Sequence, residues 1–440
     1  MVEKKEAVVK YHPKLAKWFT ATENRTKLNV ENFLVVPKYD IEYINTGSTV
    51  LNLLIGGTRL PDGKFVCPGW ARGTINEIYG RESSGKSTIA LTGVGQCTAA
   101  GGTAVYIDLE CGVRANYAAR LGCDFRPPNM GGNGRAVLLS PYNFEEVESI
   151  VTHAALQQID LIVIDSVAAL VSRREQKRDV SDEKQKQGMA EIPRLMSQWL
   201  PKLQQIIART KTCVLFLNQT RDKIGAMGYT EEALKSTTGG NALKFYSSTR
   251  ILLKPRKITK AKKYNPVLKD FEDVEIASDI EAKMIKNKID ASKGHSGLIT
   301  LRYGVGIDEL RCMLSVAIAY KIIKVGRGGK GGNQEIFIFK MANGTVVEDI
   351  GVEKFRQAMT RQAGALEEMT SLCTDRILDG FKMIDDDELA SLAADAVVTD
   401  VDQDDYESGP APEILEQTEP DEDDEGGGII VPTIDSSTLE

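Results

Sequence analysis

The sequence predicts an α/β fold built on a mainly parallel central sheet, and three observations carry that prediction. A complete phosphate-binding loop, Gly80-Arg81-Glu82-Ser83-Ser84-Gly85-Lys86-Ser87, lies between an apolar run and a helical stretch. Several other runs are continuously apolar, which suits strands covered on both faces. From about residue 46 to 300 such runs alternate with helical patterns.

Taken in order, residues 1 to about 45 read as a small helical arm with a polar linker. The insertion Gly57 to Gly73, with two prolines and four glycines, should be a surface loop. Thr74–Tyr79 is the first long strand, and the phosphate loop opens from it into a helix over Ser87–Ala100 that Gly101-Gly102 stops. Further strands are expected at Thr103–Asp108, Ala136–Leu139, Leu161–Asp165, Val214–Asn218 and Thr249–Leu253. A smaller α/β unit over 304–382 carries a helix (Glu309 to Ile323), a Gly/Lys turn (Val325 to Gly332), a short strand (Ile336 to Phe339) and a long helix after Gly351. Residues 383–440 read as an acidic disordered tail, too poor in apolar surface to offset the entropy of ordering, with one helical pattern at Glu388–Val398.

Bulk properties narrow the function class. A chain of 440 residues exceeds one core, and no apolar run of about 18 residues offers a membrane span. Met1 to Lys17 lacks the apolar centre of a secretory signal. Seven scattered cysteines without a C-x-x-C pair, and only three histidines, point to buried thiols in a reducing, cytoplasmic compartment. The net charge of −7 conceals an asymmetry: residues 383–440 hold 20 Asp and Glu and no Lys or Arg. The preceding 382 residues therefore carry 55 bases against 42 acids, a balance that favours phosphate-backbone partners.

In a phosphate loop, backbone N–H groups and a helix N-terminus face a polyphosphate. Lys86 is placed to reach the terminal phosphates and the Ser87 hydroxyl to hold Mg²⁺. Asp165 closes the apolar strand Leu161 to Asp165, where it can hold the water shell of that ion. Hydrolysis needs a group that orients or deprotonates water, and the end of another strand, Tyr106 to Glu110, supplies Asp108 and Glu110. Spacing does not choose between them. Gln219 ends the next strand and could sense the terminal phosphate. It opens a long, strandless, Gly-rich segment, Thr220 to Gly240, holding Arg221, Lys223 and Lys235. A second basic segment, Ser172 to Gly188, holds Arg173, Arg174, Lys177, Arg178, Lys184 and Lys186. Basic loops beside a nucleotide site suit a nucleic-acid backbone that orders them on binding.

From about Ile44 to Met383 the chain resembles the bacterial RecA-type DNA recombinases. The resemblance rests on Ile44-Asn45-Thr46-Gly47-Ser48, the phosphate loop, Leu161 to Leu170, Leu217 to Gly225, Thr238-Gly239-Gly240-Asn241-Ala242-Leu243-Lys244-Phe245-Tyr246, and Lys286-Asn287-Lys288. It implies a RecA-like P-loop ATPase core at 46–303, between an oligomerisation arm at 1–45 and the small domain at 304–382. It also implies a DNA-dependent ATPase that forms filaments on single-stranded DNA and catalyses pairing and strand exchange with homologous duplex DNA. ATP and Mg²⁺ are the implied cofactors, and single-strand-binding and loading proteins the implied accessory partners.

Position by position, the resemblance makes Glu110 the catalytic glutamate and Gln219 the link between the γ-phosphate and the second DNA loop. Gly80 to Thr88 and Asp165 would hold nucleotide and Mg²⁺, with Tyr117, Tyr303 and Gly304 near the adenine. Lys286 and Lys288 would reach the ATP of the neighbouring subunit in trans. Met189, Arg194, Arg221, Lys223, Ile224, Gly239, Gly240 and Asn241 fall on DNA-contacting positions, and Phe245 on a subunit interface. Apolar Met189 and Ile224 suit wedging between base steps.

The chain also departs from that pattern. Arg114 stands where an acid is usual near the adenine, Pro201 replaces a basic residue near the DNA loops, and Thr249 replaces a larger apolar one. The Gly57–Gly73 insertion and extra residues around Tyr229 to Leu234 are unusual, so a divergent member of the group is expected. A ring-forming helicase on the same core is the enzymatic alternative, against which the Gly239–Tyr246 run and the Lys286/Lys288 pair argue. A filament that uses ATP only as an assembly ligand is the other, and it would need no acid at Glu110.

Overall fold

Runs such as Leu161–Asp165 have no polar face to offer water, so they form a sheet covered on both sides. The computed structural model of the protein describes residues 41–58, 65–176, 191–222, 235–265, 267, 269–290, 293–328 and 334–379. The expected N-terminal arm and acidic tail lie outside the described residues.

In chain order the strands are β1 (Tyr43–Ile44), β2 (Trp70–Ala71), β3 (Ile75–Gly80), β4 (Ala104–Asp108), β5 (Ala136–Leu139), β6 (Leu161–Asp165), β7 (Cys213–Asp222), β8 (Lys235–Thr237), β9 (Thr249–Asn265), β10 (Asp270–Asn287), β11 (Ser296–Arg302), β12 (Gly306–Ile307), β13 (Ile323–Gly328), β14 (Gln334–Lys340) and β15 (Val346–Ile350). The helices are α1 (Thr49–Gly56), α2 (Lys86–Ala99), α3 (Ala115–Arg120), α4 (Phe144–Leu156), α5 (Arg173–Gln176), α6 (Glu191–Thr210), α7 (Gly240–Tyr246), α8 (Glu309–Ala319), α9 (Val352–Arg361) and α10 (Ala365–Asp379). The main sheet runs β12-β11-β10-β9-β3-β7-β6-β4-β5, and from β9 to β5 its neighbours are parallel. β10, β11 and β12 extend it antiparallel.

One face packs Ile78, Tyr106, Val163 and Leu215 against α2, in a cluster that continues to Cys312 and Phe337 of the C-terminal elements. The opposite face packs Ile75, Ile162 and Phe216 against α4 and α6, with Trp199 edge-on to Phe144 at 5.5 Å and to Phe216 at 6.1 Å. α4 starts at Asn143, whose side chain accepts from Glu146 N while Glu146 accepts in return from Asn143 Nδ2. α6 runs through Pro201 to Thr210.

Several elements differ from expectation. β9 does not stop at Leu253 but forms a long hairpin with β10. The Lys-rich continuation reads as polar surface, yet its register opposes Lys263 to Glu272, Lys262 to Asp273, Lys260 to Glu275 and Lys254 to Glu281. Opposite charges across a strand pair contribute tenths of a kcal/mol each, roughly, so the alternation of sign supports the ribbon. The segment after Gln219 is not strandless, since β7 continues to Asp222 and pairs antiparallel with β8. The Gly57–Gly73 insertion is not all surface: Cys67, Trp70 and Ala71 are buried, and β2 pairs with β1. Proline and glycine content masked a tryptophan that packs on α2 beside Gly93. The helix from Glu309 ends at Ala319, because Lys321 adopts a positive φ and β13 begins at Ile323. The expected long helix after Gly351 is two, broken where Gly364 takes φ +77°.

Candidate nucleotide site

β3 delivers the chain to Gly80 and α2 resumes it at Lys86, so the phosphate loop stands at the carboxyl end of the parallel strands. Gly85 caps α2 in the left-handed region with no side-chain hydrogen bond, which leaves the first-turn N–H groups to an anion. Neither Gly80 nor Gly85 has open space for a side chain. A Cβ on Gly80 would meet Leu253 O at 2.6 Å and Ser84 Oγ at 2.7 Å, and one on Gly85 would meet Leu301 Cδ1 at 2.2 Å.

Lys86 is buried, and its Nζ donates to Arg81 O at 2.7 Å and Gly80 O at 3.3 Å. Burial lowers its pKa, while Asp165, Glu110 and Glu82 oppose that shift. Asp165 is buried too, which raises its pKa against the Ser87 and Tyr106 hydroxyls that donate to its Oδ2 at 2.6 and 2.7 Å. Lys86, Ser87 and Asp165 line a cavity of about 310 Å³ that Glu110, just past β4, and Gln219, within β7, also line.

Across its mouth, Gln219 Nε2 donates to Glu110 Oε1 at 3.1 Å, and the Ser166 hydroxyl donates to the same oxygen. Of the two acids that spacing left open, Glu110 lines the cavity. Asp108 instead closes the turn after β4, accepting from Val113 N at 2.9 Å and Gly112 N at 3.3 Å.

Glu82, Ser83, Ser84 and Thr88 also line the cavity, as does half-exposed Tyr303. Tyr117 does not reach it directly; its hydroxyl shares a hydrogen bond with Thr88 Oγ1 at 2.8 Å. Gly304 O accepts from Arg120 Nη1 at 3.3 Å. Exposed Arg114 precedes the first turn of α3. Ser278, Ile280 and Leu301 complete the wall, and sequence reasoning missed all three because β10 and β11 were not foreseen. Ser166 was missed as well; its only signal was its place directly after Asp165.

The donor set fits a hard cation held jointly with phosphate. Ser87 Oγ, which donates to Asp165 Oδ2 at 2.6 Å, and that carboxylate are oxygen donors of the kind such a cation takes. Among the described residues no three His, Cys, Asp or Glu gather where they could hold a metal ion.

The remaining predicted residues divide. Lys286 Nζ donates to Lys244 O at 2.6 Å and Phe245 O at 2.9 Å, and Lys288 Nζ to Phe245 O at 3.2 Å. The pair therefore sits on the C-terminal carbonyls of α7 beside the exposed Phe245 ring, and does not line the cavity. Gly239 caps α7 at φ +82° against Val167, and Gly240, at φ +77°, abuts Pro193 of α6. That seating carries exposed Arg194 and Asn241 on the facing ends of α6 and α7. Arg221 lies on β7 where it pairs with β8. Met189, Lys223 and Ile224 lie outside the described residues.

Among the described residues no helix is long and apolar enough to cross a membrane. Residues 28–308 match the family model for the RecA N-terminal domain. Protein RecA of Nitratidesulfovibrio vulgaris (strain Miyazaki F) is 40% identical over 272 residues, which span 61% of this chain and 66% of that protein. Protein RecA of Malacoplasma penetrans is 34% identical over 303 residues, 69% of this chain and 81% of the relative. Protein RecA of Deinococcus radiodurans is 38% identical over 293 residues, 65% and 70% of the two chains. With the family model matched across most of the ATPase core, the chain belongs to the RecA family of ATP-dependent recombinases in DNA recombination and repair.

Proposed function

We propose that this chain binds ATP with Mg²⁺ in the cavity at Lys86, assembles into a helical filament on single-stranded DNA, and exchanges that strand with a homologous duplex. The observation that carries the reading is the meeting of Glu110, Gln219 and Ser166 at the mouth of a cavity floored by Lys86, Ser87 and Asp165. A nucleotide pocket needs the second group to bind; only turnover needs the first.

In this reading the loop N–H groups and Lys86 bind and orient the phosphates, and Ser87 and Asp165 hold Mg²⁺, which neutralises phosphate charge when bound. Glu110 takes the proton of the attacking water, with Ser166 and Gln219 fixing the orientation of its carboxylate. Gln219 lies on the strand that leads into 223–234, so a contact between its amide and the terminal phosphate would bias the DNA-facing segment. Lys286 and Lys288, outside the chain's own cavity, serve the nucleotide of an adjoining copy. Head-to-tail contacts of that kind generate a helix where they do not close on themselves. Arg194, Arg221, Lys223 and Asn241, with the Gly239-Gly240 turn, bind the DNA backbone; Met189 and Ile224 separate bases, and base pairing alone reads sequence.

The test is a strand-exchange reaction between circular single-stranded DNA and linear duplex. Joint molecules should form with homologous duplex and ATP, and not with heterologous duplex or without nucleotide. Unwinding of duplex without pairing would support the helicase alternative and contradict this reading.

A further inference from the structure

A buried polar chain joins the nucleotide cavity to the edge that carries Phe245, and the mechanism above leaves it unused. Glu77 on β3 is fully buried and sits opposite Arg250 of β9 in the parallel register. One of its oxygens accepts from Arg250 Nε and the other from Asn218 Nδ2, the latter at 2.9 Å. Arg250 also lies over the Tyr79 ring, 4.7 Å from its centroid.

Asn218 satisfies every donor and acceptor of its amide. Nδ2 donates a second time, to Thr238 O at 3.0 Å, and Oδ1 accepts from Gln219 N at 2.9 Å and from the Thr238 hydroxyl. One side chain thus clamps β7 immediately before Gln219 to the residue that precedes the Gly239-Gly240 turn. At its other end α7 is held by Lys286, whose register partner on β9 is Arg250. The path is closed: Glu77, Asn218, Thr238, α7, Lys286, Arg250 and back to Glu77.

An ion pair on this face is out of character, since its neighbours Ile75, Val214 and Phe216 are apolar. Well-packed apolar residues in place of a buried pair are often as stable or more so, so stability alone does not account for its presence. We infer that Glu77 is a positioning residue for hydrolysis: by holding Asn218 and Arg250 together it sets Gln219 against Glu110, and ties that setting to the edge of α7. The inference rests on the reading of Glu110 and Gln219 given above. A displacement of α7, as when a second copy seats on Phe245, would then reach the cavity through fixed hydrogen bonds.

Three variants of the full chain test it: Glu77→Gln, Glu77→Met combined with Arg250→Met, and Thr238→Val, which leaves the ion pair intact. ATP turnover is measured across an ATP series with and without single-stranded DNA, beside the melting temperature of each variant. Glu77→Gln should lower DNA-stimulated kcat by about tenfold or more with KM for ATP changed less than about twofold. The paired methionine variant should melt like the parent yet remain slow, and Thr238→Val should lose about threefold or more in kcat. Parent-like kcat in Thr238→Val, or recovery of kcat together with melting temperature in the methionine pair, would overturn the inference. Glu110→Gln run alongside separates the two levels. If it turns over at the parent rate, the reading of the site fails; if it is inactive while the Glu77 variants run normally, only the role of Glu77 fails.

Discussion

Gln219 Nε2 donates to Glu110 Oε1 at 3.1 Å, from β7 to the acid at the mouth of the cavity around Lys86. The bond uses one of the two amide N–H donors of Gln219 and leaves the other to a terminal phosphate, while Glu110 keeps Oε2 for water. Exchange of this bond for a phosphate contact would release the Glu110 oxygen and would link nucleotide state to the strand end at Asp222.

Glu110→Gln keeps size and hydrogen bonding and removes the proton acceptor. DNA-stimulated ATP turnover should fall by about a hundredfold or more, since general-base contributions run to 10²–10⁴. Binding of a fluorescent ATP analogue should be unchanged. Turnover at the parent rate would remove Glu110 from the mechanism.

Gly85→Ala should damage the cradle by geometry alone. The residue sits at φ +84°, where a side chain costs about 1–2 kcal/mol, and its Cβ would lie 2.2 Å from Leu301 Cδ1. Thermal melting should show the loss of stability, and titration with ATP a loss of affinity of about tenfold or more.

Lys286 carries the pH dependence. Burial, Lys288 and Arg250 press its pKa down to about 8, and Glu77 opposes them. The shift is downward, so the ammonium is present in the folded chain below about pH 8 and lost above it, while the unfolded chain keeps it to higher pH. The unfavourable charge is therefore fully present below pH 8 and relieved as pH rises. Nucleotide-dependent assembly should weaken between pH 7.5 and 9, and Lys286→Arg, which stays charged, should hold assembly to the higher pH. Light scattering across that range checks both, and identical profiles would contradict a cationic role.

The acidic residues beyond Met383 are tethered to a basic chain and should compete with DNA at high effective concentration. Truncation after Lys382 should tighten duplex binding and lower its Mg²⁺ requirement. Equal binding by both forms across a Mg²⁺ series would leave the tail no autoinhibitory part.

Local chemistry explains what was legible in the sequence. The strand Leu161–Asp165 is apolar at every position but its last, and the phosphate loop is spelled by residue types that only that geometry requires. The β9–β10 hairpin was not legible, because its support is the matching of lysines with acids across strands far from one another in type and read singly as solvated surface. Spacing left Glu110 and Asp108 open and only the resemblance favoured Glu110, because the turn at Gly112 and Val113 that takes up Asp108 leaves no local pattern. The Glu77–Asn218–Arg250 chain joins three strands at a distance of up to 173 residues, beyond the reach of any local pattern.

The most direct test is electron microscopy of the protein on single-stranded DNA, with a non-hydrolysable ATP analogue and without nucleotide. Extended helical filaments that form only with the analogue are the predicted result. Closed rings, or filaments indifferent to nucleotide, would contradict a recombinase whose assembly is governed by ATP held between successive copies.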